Sequence, residues 1–135
     1  GLDFAKEAIR RAKSLAPEPS HFKIGDVQNI PWPADFFDGV LDVGCLHCLT
    51  DQTQLRTAVN EIARVLVPGG QLYSRVFGSF SQSKLEKVPF KTVALGHSTQ
   101  TLVETFSTHF DLSYFTKGDC TYLRGSMLMA GEGIN

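Results

Sequence analysis

The sequence predicts an α/β fold in which a mostly parallel sheet is flanked by helices and ends in an antiparallel hairpin. Three observations support this prediction: amphipathic helical segments alternate with short apolar runs, one of these runs is nearly continuous, and two strand-like runs close the sequence. With 135 residues, of which 42% are hydrophobic, the length fits a single domain spanning residues 1–135.

The charge balance limits the kind of partner that is expected, and the cysteine count indicates the cellular compartment. The 13 basic and 14 acidic residues give no broad positive field, so no nucleic-acid partner is expected, and the partner is expected to be a small molecule. No apolar run approaches the ~20 residues that span a bilayer, so no membrane partner is expected. The three cysteines and the lack of a secretory signal pattern indicate reduced thiols in a cytoplasmic protein.

The first third of the sequence alternates a helix with two strands. Residues Phe4 to Leu15 place apolar side chains on one side and basic ones opposite, which predicts an amphipathic helix. His21 to Ile24 predicts a short strand whose functional end is Asp26. The nearly continuous apolar run Phe37 to Val43 predicts a strand buried on both faces of a parallel sheet.

The middle of the sequence contains its strongest helical period. Apolar residues from Leu55 to Leu66 recur at offsets of three and four, and Thr50 or Asp51 can cap the start of this helix. Pro68-Gly69-Gly70 ends it, and Gln71 to Val76 alternates as the next strand. Strand, helix and strand in this order predict a right-handed parallel crossover.

The last third is expected to close the sheet. Residues Ser81 to Leu95 show no clean period and are expected to form a loop. Ser98 can cap a helix that extends to His109. Asp111 to Thr116 and Tyr122 to Ala130 are then expected to pair as an antiparallel hairpin.

Four motifs in this order resemble class I S-adenosylmethionine-dependent methyltransferases of the small-molecule type. This type carries a "D-x4-P-F-x4-FD" stretch and an "R-V-L-x-P-G-G" turn. The four motifs here are Gly1-Leu2-Asp3-Phe4, Gly25-Asp26-Val27 with Pro31, Phe37-Asp38-Gly39-Val40-Leu41 running into Leu46-His47-Cys48-Leu49, and Arg64-Val65-Leu66-Val67-Pro68-Gly69-Gly70. The resemblance implies a Rossmann-like sheet with S-adenosylmethionine as cofactor.

The resemblance also implies the residues that hold the adenosine half of this cofactor. Asp3, at the end of a strand, would accept hydrogen bonds from the ribose hydroxyls, and Phe4 would pack against the adenine. Asp26 would accept from the adenine amino group, while the Val27 amide would meet a ring nitrogen. Asp26 is also common in turns for purely local hydrogen bonding.

The loop from Asp42 to His47 would flank the sulfonium and the methyl acceptor, so Val43 and Gly44 are further candidates for cofactor contact. Asp42 is interpreted either as a partly exposed carboxylate bonded to nearby loop amides, or as a general base or substrate-orienting group with a shifted pKa. His47 could remove a proton from the acceptor or cap the following helix. Cys45 and Cys48 are interpreted as small buried residues rather than metal ligands, and no metal site is expected.

The family's first strand and glycine-rich loop would lie before Gly1, so the fold is expected to be N-terminally incomplete. Three arrangements remain open: the remaining strands close up with the third beside the fourth, a second copy fills the gap, or the chain is a fragment. Closure with homodimerisation is favoured, because an exposed inner strand edge invites pairing.

The resemblance implies methyl transfer from S-adenosylmethionine to a small-molecule acceptor, with the binding of this cofactor by the chain alone in question. An alternative from another class is a catalytically inactive scaffold or interaction module derived from the same fold. A nicotinamide dinucleotide enzyme ranks last, because it does not account for the P-G-G and D-x4-P pattern.

Overall fold

A computed structural model describes residues 1–49, 51–77 and 97–129 and shows an α/β architecture with two sheets. The smaller sheet is parallel and contains β1 (Leu2–Asp3) and β2 (Lys23–Ile24). Helix α1 (Lys6–Leu15) connects these strands and contacts both of them. Its position agrees with the sequence prediction, although Phe4 lies before the helix and only Ile9 of the helix is buried.

The larger sheet has four strands in the order β3–β4–β6–β5, with β3 and β4 parallel and the other pairs antiparallel. The bounds of these strands are β3 (Phe37–Val43), β4 (Leu66–Phe77), β5 (Phe110–Lys117) and β6 (Cys120–Met127). The predicted parallel crossover and the C-terminal hairpin are therefore confirmed. Gly118, with a φ of 60°, supplies the left-handed backbone of the two-residue hairpin turn.

The favoured closure of the third predicted strand onto the fourth is wrong. Strand β2 bonds to β1, through Lys23 N–H to the Gly1 carbonyl and Gly25 N–H to the Asp3 carbonyl, and not to β3. Strand β2 is only two residues long, and a short 3-10 helix (Val27–Asn29) follows it closely. It is therefore too short to form a second row of backbone hydrogen bonds with β3. The two sheets consequently remain separate.

Two helices cover one face of the larger sheet. Helix α2 (Gln52–Val65) begins at Asp51, whose carboxylate accepts from the Gln54 amide at 2.8 Å, and α3 (Thr99–Phe106) begins at Ser98. Their apolar stripes meet the inner residues of β4 and β6. The fully buried core contains Leu46, Leu55, Ala58, Val59, Leu66, Leu72, Val76, Leu102 and Phe106.

The prediction that the strand Phe37–Val43 is buried on both faces is wrong. Leu41 is 76% exposed and Val43 is 58% exposed, whereas Asp42 between them is buried. Alternate residues of a strand point to opposite faces, and among the described residues only the face under α2 and α3 is covered by helices. The apolar composition of β3 was therefore a poor guide to the burial of its second face.

Strand β4 begins earlier than predicted. Leu66 pairs with Phe37, and regular pairing resumes where Gln71 lies beside Gly39. Pro68-Gly69-Gly70 lies between these two pairs, where the register shifts. The predicted loop Ser81 to Leu95 and Ala130 lie outside the described residues. Within the part of the chain that is described, no helix is long and apolar enough to cross a membrane.

Candidate functional site

The carboxyl ends of β1 and β2 lie side by side and present two acidic residues. Asp3 ends β1, and Asp26 follows β2 after Gly25. Both side chains are exposed, and each has a local partner: Asp3 Oδ1 accepts from the Ala5 amide and Asp26 Oδ1 from the Gln28 amide, both at 2.8 Å. One oxygen of each carboxylate therefore accepts a local backbone hydrogen bond, and the other oxygen can accept a hydrogen bond from a ligand.

Phe4 and Val27 flank these two carboxylates in the sequence. The Phe4 side chain is 78% exposed, which is unusual for a large aromatic residue and leaves its ring open to stacking. Val27 begins the short 3-10 helix, and its amide has no hydrogen-bond partner among the described residues. The side chain of Val27 packs against the core, so only its backbone faces the edge.

Asp42 is the buried acid of the site. It lies in register with Ser74 on β4, and the Ser74 hydroxyl donates a hydrogen bond to Asp42 Oδ2. Oδ1 is buried and has no hydrogen-bond partner. Burial raises the pKa of Asp42, while Ser74 and the approaching amides of Cys45 and Leu46 offset part of the shift.

His47 lies in the short 3-10 helix Leu46–Cys48 that follows β3. Its ring meets the Phe77 ring edge-on at 4.8 Å, and its Nδ1 is buried without a partner. Partial burial lowers the pKa of His47, so the neutral imidazole dominates at pH 7. Because Asp51 caps α2, the alternative that His47 caps this helix is wrong.

Gly44 provides the turn that brings His47 back against the end of β3. It has a φ of 75°, and a side chain at this position would lie 3.4 Å from the His47 ring. The Val43 side chain points to the exposed face of the sheet, opposite to Asp42. Only the backbone of Val43 can therefore take part in a site shared with Asp42 and His47.

The Cys45 thiol marks the place where these elements converge. Its pKa is raised to about 12, first because packed neighbours reduce the hydration of the thiolate, although the residue as a whole is exposed, and then by the negative charges of neighbours that include Asp42, Asp3 and Asp26. The charges of all three predicted acidic residues therefore raise the pKa of the same thiol. The interpretation of Cys45 and Cys48 as buried residues is wrong, because both residues are exposed at this edge.

A clamp that the sequence analysis missed holds the chain after Asp26. Arg64 donates to the carbonyl oxygens of Ile30 and Trp32, both at 2.8 Å, and pairs with Glu61. Glu61 in turn accepts from the Ile30 amide at 2.8 Å. The arginine of the R-V-L-x-P-G-G motif therefore fixes the loop beside the site. The i,i+3 spacing of Glu61 and Arg64 was the signal available in the sequence.

The chemistry of this edge suits a ligand with hydroxyl and amino donors and a positive charge. Asp3 and Asp26 offer carboxylate oxygens, and Val27 offers an amide. Among the described residues, no group of three histidine, cysteine, aspartate or glutamate side chains has the arrangement of a metal site. These residues fit the adenosine half of S-adenosylmethionine, because its ribose hydroxyls and adenine amino group need hydrogen-bond acceptors. The neighbouring sulfonium of the same cofactor is positively charged, which suits an edge that carries carboxylates.

Comparison with protein families matches residues 1–74 to a model described as a methyltransferase domain. This match covers more than half of the chain and includes every candidate site residue. The chain belongs to the methyltransferase-domain family. The expected family is therefore confirmed.

Curated relatives of the methyltransferase domain differ in size and function. Probable tRNA methyltransferase 9B of Homo sapiens is 32% identical over 72 residues, which are 53% of this chain and 15% of the relative. Nodulation protein S of Rhizobium tropici is 32% identical over 88 residues, which are 64% of this chain and 35% of the relative. The chain thus spans well under half of the length of these relatives.

Solved structures show the same fold over nearly the whole chain. A SAM-dependent methyltransferase of Methanosarcina mazei gives a TM-score of 0.78 at 19% identity, covering 96% of this chain and 81% of that one. The N-methyltransferase NodS of Bradyrhizobium japonicum, solved with S-adenosyl-L-homocysteine, gives 0.70 at 22% identity and covers 93% and 64%. The Rossmann-like methyltransferase fold is therefore confirmed, and an inactive scaffold has no support from these comparisons.

Proposed function

We propose that this methyltransferase domain transfers a methyl group from S-adenosylmethionine to a small-molecule acceptor. The observation that supports the proposal most directly is that the parallel strands β1 and β2 end side by side and bring Asp3 and Asp26 to one edge, within the segment that matches the family. In an α/β sheet, ligands bind outside the carboxyl ends of parallel strands, which is where these residues lie.

The adenosine half of the cofactor is assigned to the ends of β1 and β2. With the cofactor bound, the second oxygen of Asp3 would accept from the ribose hydroxyls, and that of Asp26 would accept from the adenine amino group. The Val27 amide would donate to an adenine ring nitrogen, and the exposed Phe4 ring would pack against the adenine. The Arg64 clamp keeps the segment after Asp26 in position for these contacts.

The loop after β3 is assigned to the reacting end of the site. The backbone of Val43 and Gly44 would border the sulfonium, and the left-handed conformation of Gly44 directs the chain toward His47. His47, neutral because burial lowers its pKa, accepts the proton that the acceptor nitrogen or oxygen releases. Asp42 fixes the start of this loop, because its carboxylate accepts a hydrogen bond from Ser74 on β4 and lies near the amides of Cys45 and Leu46.

A sulfonium methyl group is already activated, so the cofactor supplies the chemistry of transfer when it is bound. The residues of the chain then have three tasks: to hold the acceptor in line, to exclude water and to take up one proton. This division explains why the described site contains no nucleophile triad. It also explains why most of the candidate residues are hydrogen-bond acceptors or backbone groups.

A small acceptor is favoured over a nucleic acid by the charge of the site. The edge carries the exposed carboxylates of Asp3 and Asp26, which repel a phosphate group beside them, and the near balance of charges over the chain supplies no broad positive field. Homodimerisation along β3 remains part of the proposal, because no strand of the described residues pairs with its outer edge and such an edge can pair with a second copy.

Titration of the 135-residue chain with S-adenosylhomocysteine by calorimetry tests this function. We expect saturable binding, which Asp26→Ala weakens about tenfold or more because it removes a charge-assisted hydrogen bond. Asp111→Ala, an exposed carboxylate on β5, is the matched control and should bind like the parent chain. Absence of binding at millimolar ligand, or equal weakening by both variants, would contradict the proposal for this chain.

A further inference from the structure

His97 is a buried histidine to which the site described above assigns no role. It lies two residues before α3 and is only 8% exposed. Its Nε2 lies 2.9 Å from the carbonyl oxygen of Leu49, in the segment that follows β3. Because a carbonyl oxygen can only accept, Nε2 carries the proton and donates it. This hydrogen bond joins two segments that are 48 positions apart in the chain.

Leu49 is the last residue of the turn that carries His47, which we call the His47 turn (residues 45–49). The Leu49 amide donates to the Leu46 carbonyl oxygen at 3.1 Å, which closes the turn. The Leu49 side chain packs against the core. With His97 bonded to its carbonyl oxygen, Leu49 is held by both of its backbone groups and by its side chain.

The segment that carries His97 is itself firmly attached to the fold. Helix α3 begins directly after it, with Ser98 as the capping residue. The Thr99 hydroxyl lies 3.0 Å from the hydroxyl of Thr121 on β6, and Thr121 is buried. This segment is therefore bonded to the larger sheet and continues into a helix of the core, so it provides a fixed support for Leu49.

The side chain of His47 depends on its backbone for its position. Its Nδ1 is buried and has no hydrogen-bond partner within the described part of the chain. Its ring meets Phe77 edge-on, which is a contact without a hydrogen bond to a ring nitrogen. The direction of the imidazole is consequently determined by the His47 turn. Gly44 sets the start of this turn, and the bond from His97 sets its end.

We propose that His97 is a positioning residue, which holds the His47 turn and thereby the imidazole of His47 at the reacting end of the site. This role rests on the proposed function, in which His47 accepts the proton of the methyl acceptor. Without the N–H of His97, the Leu49 carbonyl oxygen would bond to water instead, and the turn would open to solvent. The loss should therefore be measurable at His47 itself.

Two variants separate the hydrogen bond of His97 from the volume of its ring. His97→Phe keeps an aromatic ring without an N–H, whereas His97→Gln keeps an amide donor that is as many bonds from Cβ as Nε2. Imidazole proton chemical shifts report the pKa of His47 during a pH titration of the 135-residue chain without cofactor. Burial lowers this pKa in the parent chain, so it should rise toward 6.5 in His97→Phe and stay unchanged in His97→Gln.

His109 provides an internal control in the same spectra. Burial lowers its pKa as well, and its Nε2 lies 2.7 Å from the side-chain oxygen of Asn60 on α2. Its pKa should stay unchanged in both variants. Asp42 and Cys45, the titratable neighbours of the His47 turn, are kept in every chain. Folding is checked by circular dichroism, and His97→Leu replaces His97→Phe if that variant does not fold.

An unchanged pKa of His47 in His97→Phe would overturn the proposal. An equal rise in His97→Gln would also overturn it, because packing of the ring rather than the hydrogen bond would then hold the turn. So would an equal shift at His109, which would indicate general loosening. Absence of S-adenosylhomocysteine binding by the parent chain would contradict the proposed function alone, since these pH titrations need no cofactor.

Discussion

Asp42 shows how one residue departs from the pattern of its element. It lies near the end of an otherwise apolar strand, is 7% exposed, and has one oxygen bonded to Ser74 and the other without a partner. A buried carboxylate with incomplete hydrogen bonding is costly in its charged form. The raised pKa of Asp42 is the consequence, and it links this residue to the stability of the protein.

Asp42→Asn is expected to raise the melting temperature at pH 7 by roughly 2–4 °C. The pKa of Asp42 is higher in the folded protein than its ordinary value of 3.8. The stability that protonated Asp42 contributes is therefore fully present below pH 3.8, and it is lost as the pH rises through the pKa of the folded protein. The gain from asparagine should therefore shrink as the pH falls toward 4. Thermal melts of both proteins from pH 7 to pH 4 measure this difference.

Ser74→Ala provides the comparison for this prediction, since it removes the hydroxyl that donates to Asp42 and should lower the melting temperature at pH 7. A stability difference between Asp42→Asn and the parent chain that stays constant from pH 7 to pH 4 would show that ionisation of Asp42 is not involved.

At the residue scale, the sequence placed Asp3 and Asp26 at strand ends because a strand end follows from a local pattern. It did not reveal the exposure of Cys45 or the clamp formed by Arg64. Both depend on which loops meet in three dimensions, and the partners of Arg64 at Ile30 and Trp32 lie more than thirty positions away. The spacing of Glu61 and Arg64 indicates that these two residues pair, but it does not indicate the distant carbonyl partners of Arg64.

At the element scale, helices and the hairpin were predicted well because their signals are periodic and local. Helix α2 combines an Asp51 cap with an uninterrupted apolar stripe, and the hairpin turn contains the glycine that its backbone requires. The start of β4 was not predicted, because Pro68-Gly69-Gly70 resembles a simple helix stop. In the structure, this segment is an irregularity inside the strand.

Gly70→Ala is expected to destabilise the protein by about 1–3 kcal/mol, because overpacking against a fixed backbone forces a local shift. An added Cβ at Gly70 would lie 2.9 Å from the Val67 carbonyl oxygen and 3.2 Å from that of Asp38. Gly39→Ala, on the adjacent strand, would make only an ordinary contact at 3.6 Å with the Gln71 carbonyl oxygen. Urea unfolding of the three proteins measures the comparison, and equal stability of the two variants would contradict this account.

At the scale of the whole molecule, the class of the fold was predictable and the arrangement of its sheets was not. The order of strands and helices along the chain determined an α/β fold, since few topologies accommodate it. Whether β2 would pair with β1 or with β3 depends on the lengths and ends of the strands. The result is a methyltransferase domain in which the smaller sheet carries Asp3 and the larger sheet carries Asp42.

The central claim is that one cofactor contacts both sheets at their carboxyl ends. Amide chemical shifts of the isotopically labelled chain, recorded during a titration with S-adenosylhomocysteine, test it most directly. We predict concerted shifts at Val27, Gly44 and Cys45, with little change in the β5–β6 hairpin. Shifts confined to the β5–β6 hairpin, or none at millimolar ligand, would contradict the claim.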